Sequence, residues 1–190
     1  SYLAAAKEIK ASYPNVDVRV VDSLCASLGQ GLFVDYVVRK ADTGATLEET
    51  VAYAEDLKRH ICHYFTVDDL MHLKRGGRVS GTTAAIGSLL RIKPVLHVDD
   101  AGHLIAIGKT MGRRKSISAL VDKMVELQTL EKDDPIFISH GDCQEDVGYL
   151  IGLLKERFGG RKIVVNMIGS VIGTHSGAGT VALFFRGKHR

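Results

Sequence analysis

Residues 169–185, GSVIGTHSGAGTVALFF, pass from an apolar run through a glycine-dense stretch into a second apolar run. The closing VALFF is β-branched and aromatic and reads as a strand, as does IVVNM at 163–167. Between them, the glycines let backbone N–H groups face a ligand with no Cβ in the way. His175 sits at the centre of this loop, flanked by the hydroxyls of Thr174 and Ser176. The pattern is that of a strand-borne loop with polar groups at its tip.

Working outward, the chain alternates helical and strand patterns. Residues 2–13 read as an amphipathic helix stopped before Pro14, and VDVRVV at 16–21 alternates like a strand. The loop DSLCASLGQG leads into a helix through FVDYVVRKA, and Thr46 with Glu49 forms a capping box for the next. Residues 61–67 (ICHYFTV) follow as a strand, so the first part predicts an α/β layer with a parallel sheet. In the second part, AAIGSLLRI reads as a helix stopped by Pro94. PVLHV and HLIAIGKT form a hairpin around 100–102. A long helix near 115–130, the strand IFISH, and the helix DVGYLIGLLKERF complete an α+β pattern with a mixed or antiparallel sheet. The boundary between a first unit, 1–67, and a second, 68–190, is expected near Val67.

The chain has 190 residues, enough to bury a core without metal or disulfide support. A net charge of +3 is too small to point to nucleic acid or an anionic membrane surface. No apolar run reaches membrane-spanning length. Cys25, Cys62 and Cys143 are too sparse for a disulfide framework, and a reducing cytoplasm is the expected setting.

Several chemistries fail on spacing. Gly102 to Thr110 imitates a phosphate loop, but five residues separate the glycines instead of four, and HLIAI is strand-like. His140 with Cys143 finds no second pair to complete a zinc site. Asp22, Ser23, Ser27 and His175 lack the GxSxG elbow of a hydrolase. The run Arg113-Arg114-Lys115 with Lys109 reads first as a solvated face. KRGGRV at 74–79 is more informative. Its paired glycines permit a sharp turn, and Arg78 then offers a fork of donors to a carboxylate or phosphate, unless it pairs with Asp68 or Asp69.

Three segments in order, TVDDLMHLKRGGRVSGTTAAIGSLLRIKPVL, GKTMGRRKSI and GSVIGTHSGAGTVALFF, together with VVDSLCASLGQG, resemble the DegV family of bacterial lipid-binding proteins. The resemblance covers essentially the whole chain. It implies an α/β (α+β) fold of two domains with a fatty acid between them, serving as the non-catalytic subunit of a fatty acid kinase. It also implies that His175 holds the carboxylate, with Arg78 nearby and acting on the phosphate, and that Thr174 and Ser176 flank the head. The family loop usually carries proline where this chain has Ala178. Two further hydroxyl ligands belong to an N-terminal segment expected to precede Ser1.

Physical chemistry agrees with such a ligand. Burying a dozen methylenes yields roughly 10 kcal/mol gross at about 0.8 kcal/mol each, whereas an unpaired carboxylate is very costly to bury. An apolar tunnel with a few donors at one end is the solution. Ile86, Leu89, Leu90, Ile107 and Met111 are the candidate lining, though each also suits plain core. No metal or cofactor is expected beyond the bound long-chain fatty acid. A separate ATP-binding kinase subunit would phosphorylate it. The alternative is a stand-alone hydrolase or kinase-like enzyme acting on a small acyl or phosphorylated substrate.

Overall fold

Two strands, Ile61–Thr66 (β1) and Val181–Arg186 (β6), are buried along nearly their whole length and lie side by side, antiparallel, at the middle of one sheet. Such runs, apolar on both faces, require layers above and below. A computed structural model describes residues 2–79 and 91–190. Among these the elements are α1 (Tyr2–Ser12), α2 (Leu28–Asp42), α3 (Leu47–Leu57), β1, and α4 (Leu70–Arg75). Then follow β2 (Ile92–Val98), β3 (Leu104–Met111), α5 (Arg113–Leu127), β4 (Ile136–His140), α6 (Gln144–Phe158), β5 (Ile163–Met167), α7 (Ser170–Ser176) and β6.

The six strands run in the order β3-β2-β1-β6-β4-β5. β4 and β5 are parallel, and the other neighbours are antiparallel. Alternation assigns the two faces. Ile61, Phe65, Ala182, Phe184, Phe137 and Leu96 join α2 and α3 in one core, whereas Cys62, Tyr64, Leu183, Phe185 and Ile138 join α5 and α6 in the other.

Local signals account for most boundaries. The capping box forms as expected: Thr46 Oγ1 accepts from Glu49 N–H and the Glu49 carboxylate accepts from Thr46 N–H. The hairpin turns on Gly102 at φ 81°, with Asp99 Oδ1 accepting the N–H groups of Ala101 and His103.

Three expectations are corrected. Residues 16–21 form no strand, because alternation alone does not supply a neighbour and none pairs with them among the described residues. β1 is not part of a separate parallel sheet. Its antiparallel partners β2 and β6 carry the sheet straight across position 67. β2 begins at Ile92, two residues before the expected PVLHV and at the residue expected to end the preceding helix, with Pro94 opposite Lys109. The helix expected over AAIGSLLRI falls largely on residues 80–90, outside the described residues.

Candidate functional site

The register of the central strands builds a floor. Phe65, Ala182 and Ser139 form one cross-strand row, and His63, Phe184 and Phe137 form the adjacent row on the same face. Ala182 is the smallest side chain in the two rows, so a hollow remains above it. Val98 and Leu104 of the hairpin and Leu73 of α4 wall this hollow, and Ile168, Val171 and Ile172 roof it. The result is a mainly apolar cavity of about 230 Å³ into which His175, Ser176, Arg78 and Ser27 also reach.

Seven residues that read as loop, Ser170–Ser176, form the short helix α7, and its last turn presents His175. Facing it is the end of α4. There Arg78 N–H bonds Leu73 O at 2.9 Å and Gly77 N–H bonds Lys74 O at 2.9 Å, with Gly77 at φ 69°. This paired i−5 and i−3 pattern around a left-handed residue is a Schellman cap, which is why the second glycine is needed. The first is needed for space, since a Cβ on Gly76 would lie 2.8 Å from His175 Nδ1. The expected neighbourhood of the GGR segment and the histidine is therefore real. The Arg78 guanidinium donates to Gly76 O at 2.8 Å. Asp69 pairs with Arg75 and Asp68 with Lys93, so the structural pairing considered for Arg78 is not made.

The turn after α7 is fastened from several sides. His72 Nε2–H donates to Thr174 O at 2.7 Å, which fixes that tautomer, and its ring packs on Gly177, itself at φ 80°. Gly179 N–H bonds Gly141 O at 2.7 Å and Gly141 N–H bonds Thr180 O at 2.8 Å. Arg113, bridged to Asp146 at 2.8 Å, also donates to Gly179 O. The first arginine of the basic run is thus not a solvated side chain. It holds the loop that follows His175.

Ser176 is buried, lines the cavity, and its Oγ has no partner among the described residues. Thr174 differs from expectation. It is exposed and its hydroxyl donates to Ser170 O at 2.8 Å, the back-bond natural to a threonine four residues along a helix. Ile107 and Met111 also stay away from the cavity. They stand exposed on the edge strand β3, and Ile107 faces Val95 and Ala119 on the α5 side. Ile86, Leu89 and Leu90 lie outside the described residues.

Sequence reading missed the residues beneath the hollow. His63 is fully enclosed, and its Nδ1–H donates to Ile61 O at 2.9 Å, leaving Nε2 to accept from Ala26 N–H at 3.4 Å. Burial pushes this imidazole down to about 3, the Arg190 charge acts in the same direction, and the Ile61 carbonyl opposes both. Helix α2 rests on the ring through Gly29, where a Cβ would come within 2.1 Å of Nε2. Ser27 Oγ bonds Ser139 Oγ at 2.9 Å, and Asp22 Oδ1 accepts Leu24 N–H, so neither is arrayed with His175 as a hydrolase triad. Residues 104–111 are strand throughout, which rules out the phosphate-loop geometry. Among the described residues no three His, Cys, Asp or Glu side chains gather to hold a metal ion, and no helix is long and apolar enough to cross a membrane.

A family model described as an uncharacterised protein of the DegV family matches residues 1–188. A DegV domain-containing protein of Clostridium perfringens is 45% identical over 187 residues, 98% of this chain and 64% of its own length. The chain thus spans about two thirds of that relative. Among solved structures, DegV of Bacillus subtilis, described as a fatty acid binding protein, is 30% identical with a TM-score of 0.76, over 97% of this chain and 66% of that one. The fatty acid kinase (Fak) B3 protein of Streptococcus pneumoniae, loaded with linoleic acid, shares the fold at a TM-score of 0.86 and 20% identity, over 97% and 65%. By its sequence across nearly every residue, and by its fold, the chain belongs to the DegV family.

Proposed function

We propose that this chain binds a long-chain fatty acid, with the acyl chain in the hollow over Ala182, the carboxylate against His175 and Ser176, and Arg78 nearby to act on the phosphate. The observation that carries the reading is the pairing of an apolar cavity with a buried Ser176 hydroxyl, unpartnered among the described residues, and the His175 ring in its lining. Apolar walls reward the tail. The His175 ring and the Ser176 hydroxyl can donate hydrogen bonds to an arriving carboxylate. The description of the Bacillus subtilis relative as a fatty acid binding protein supports the same ligand class. The cavity's 230 Å³ lies just below the range of about 300–1,000 Å³ usual for small-molecule sites. The acyl chain therefore fills it and extends beyond it.

The protein acts as a carrier in the cytoplasm and not as the catalyst. A separate ATP-binding kinase subunit phosphorylates the presented carboxylate, and Arg78 offsets the charge of the resulting acyl phosphate. The decisive experiment is to purify the chain from bacterial cells, extract it, and identify bound acids by mass spectrometry, with the Clostridium perfringens relative treated in parallel. Co-purifying long-chain acid and no turnover with ATP alone are expected. An empty chain that also refuses every long-chain acid offered, while the relative keeps its own, overturns the reading.

A further inference from the structure

One part of the cavity wall lies outside the head-group set of His175, Ser176 and Arg78. Ser27 caps α2 by position, yet its side chain makes no cap bond, and its backbone sits at φ 53°, ψ −141°, which a non-glycine residue adopts only under constraint. The hydroxyl is diverted to Ser139 Oγ. Ser139 is fully buried on β4, and by register it continues the row of Phe65 and Ala182. Two hydroxyls joined by one hydrogen bond leave one O–H proton and several lone pairs uncommitted, whichever of them donates. Ser139 is sealed and Ser27 is partly open, so Ser27 is the one that meets a guest.

The surroundings define what that guest group is. Next to the pair lie Ala26, Ala182 and Phe184, all apolar, and His63, which is held neutral with both ring nitrogens engaged. Among the described residues that line the cavity, the groups that carry or can take up positive charge beside the neutral His63 are His175, engaged by the head group, and Arg78, assigned to the phosphate, so a second carboxylate or a phosphate is disfavoured at the serine pair. A plain hydrocarbon would leave a polar pair against methylene groups. An uncharged oxygen satisfies it, accepting from the spare O–H or donating to a spare lone pair. We infer that the Ser27–Ser139 pair is a subsite for an uncharged oxygen on the acyl chain, so that the ligand is a hydroxy- or oxo-fatty acid in preference to a plain one. This rests on the fatty-acid reading above and adds the substrate subclass.

The test is displacement of a fluorescent fatty acid from the intact chain by oleic acid and by ricinoleic acid, which differs by one mid-chain hydroxyl. Stearic acid is run against hydroxystearic acids substituted near the carboxylate, near the middle and near the tail. At least one hydroxy acid is expected to displace the probe at about tenfold lower concentration than its parent. Ser27→Ala should bring the two within about threefold of each other. Ser139→Ala should do the same, which protects the test if one variant folds poorly. If every parent acid displaces the probe as well as its hydroxy derivative does, the subsite is refuted and the carrier function stands. If no acid of either kind displaces or binds, the fatty-acid reading itself fails.

Discussion

Gly76 and His175 are packed so closely that a methyl group on the glycine would stand 2.8 Å from the imidazole Nδ1 and 3.4 Å from the histidine Cα. The contact joins the cap of α4 to the last turn of α7, and it sets where the ring can be. Gly76 itself has an ordinary helical φ of −73°, so alanine there meets no backbone strain, only this crowding. Gly76→Ala should therefore shift the histidine by a few tenths of an ångström or more. Fatty-acid affinity is expected to fall about tenfold, with the melting temperature lowered by only a few degrees. Unchanged affinity, measured by fluorescent displacement, would show that the ring's position does not matter to the ligand.

On the proposed function, Arg78 separates binding from chemistry. Its side chain is exposed and forms no ion pair among the described residues, so Arg78→Ala removes charge without opening a core. Lipid retention should change less than about threefold, whereas acyl-phosphate formation with the ATP-binding kinase subunit should fall about a hundredfold, the usual scale for losing a donor to developing charge. The pair of measurements is lipid content by mass spectrometry and acyl phosphate trapped with hydroxylamine. Equal losses in both would assign Arg78 to the ligand and not to the phosphate.

How far the sequence led can be traced through particular residues. β1 and β6 were readable because residues buried on both faces are apolar almost without a break, and α3 because its cap motif acts within four residues. α7 was not readable. Its seven residues hold three hydroxyls and a glycine, too few turns to show a period, so a helix that tertiary contacts from His72 stabilise looked like a loop. His175 and Arg78 were found as types, yet their proximity depends on a packing contact between two helix ends. His63 and Ser139 were single polar residues in strands. Alternation puts each on a face, but only the strand register reveals that both border the hollow over Ala182. Residues 16–21 show the converse: a correct alternation with no partner strand among the described residues.

The hollow gives a test of where the acyl chain lies. Ala182 belongs to the buried core but borders the open space between Phe65 and Ser139. A leucine there would occupy part of the cavity, so Ala182→Leu should hold the melting temperature or raise it while reducing fatty-acid binding at least tenfold. A variant that folds and still binds with unchanged affinity would move the tail elsewhere. A smaller change, Ala182→Val, should give an intermediate loss, most severe for the longest acids.

The buried His63 makes stability depend on pH in a defined direction. Its folded value near 3 lies below the ordinary value of 6.5, so the unfolded chain takes up the proton first as pH falls. Its contribution is complete above pH 6.5 and is lost on acidification, with a slope of up to about 1.4 kcal/mol per pH unit. Between about pH 7.5 and about pH 5 the chain should lose roughly 2 kcal/mol from this group. His97, also lowered by burial, adds a smaller part of the same sign. The exposed carboxylates held low by their partners, such as Asp99 and Glu49, act only at more acidic pH. His63→Asn keeps an amide donor for the Ile61 carbonyl but cannot titrate. It should be less stable than the parent at neutral pH, yet its urea midpoint should fall much less on acidification. Parallel decline of parent and variant would mean that the enclosed imidazole is not the group that makes the fold sensitive to acid.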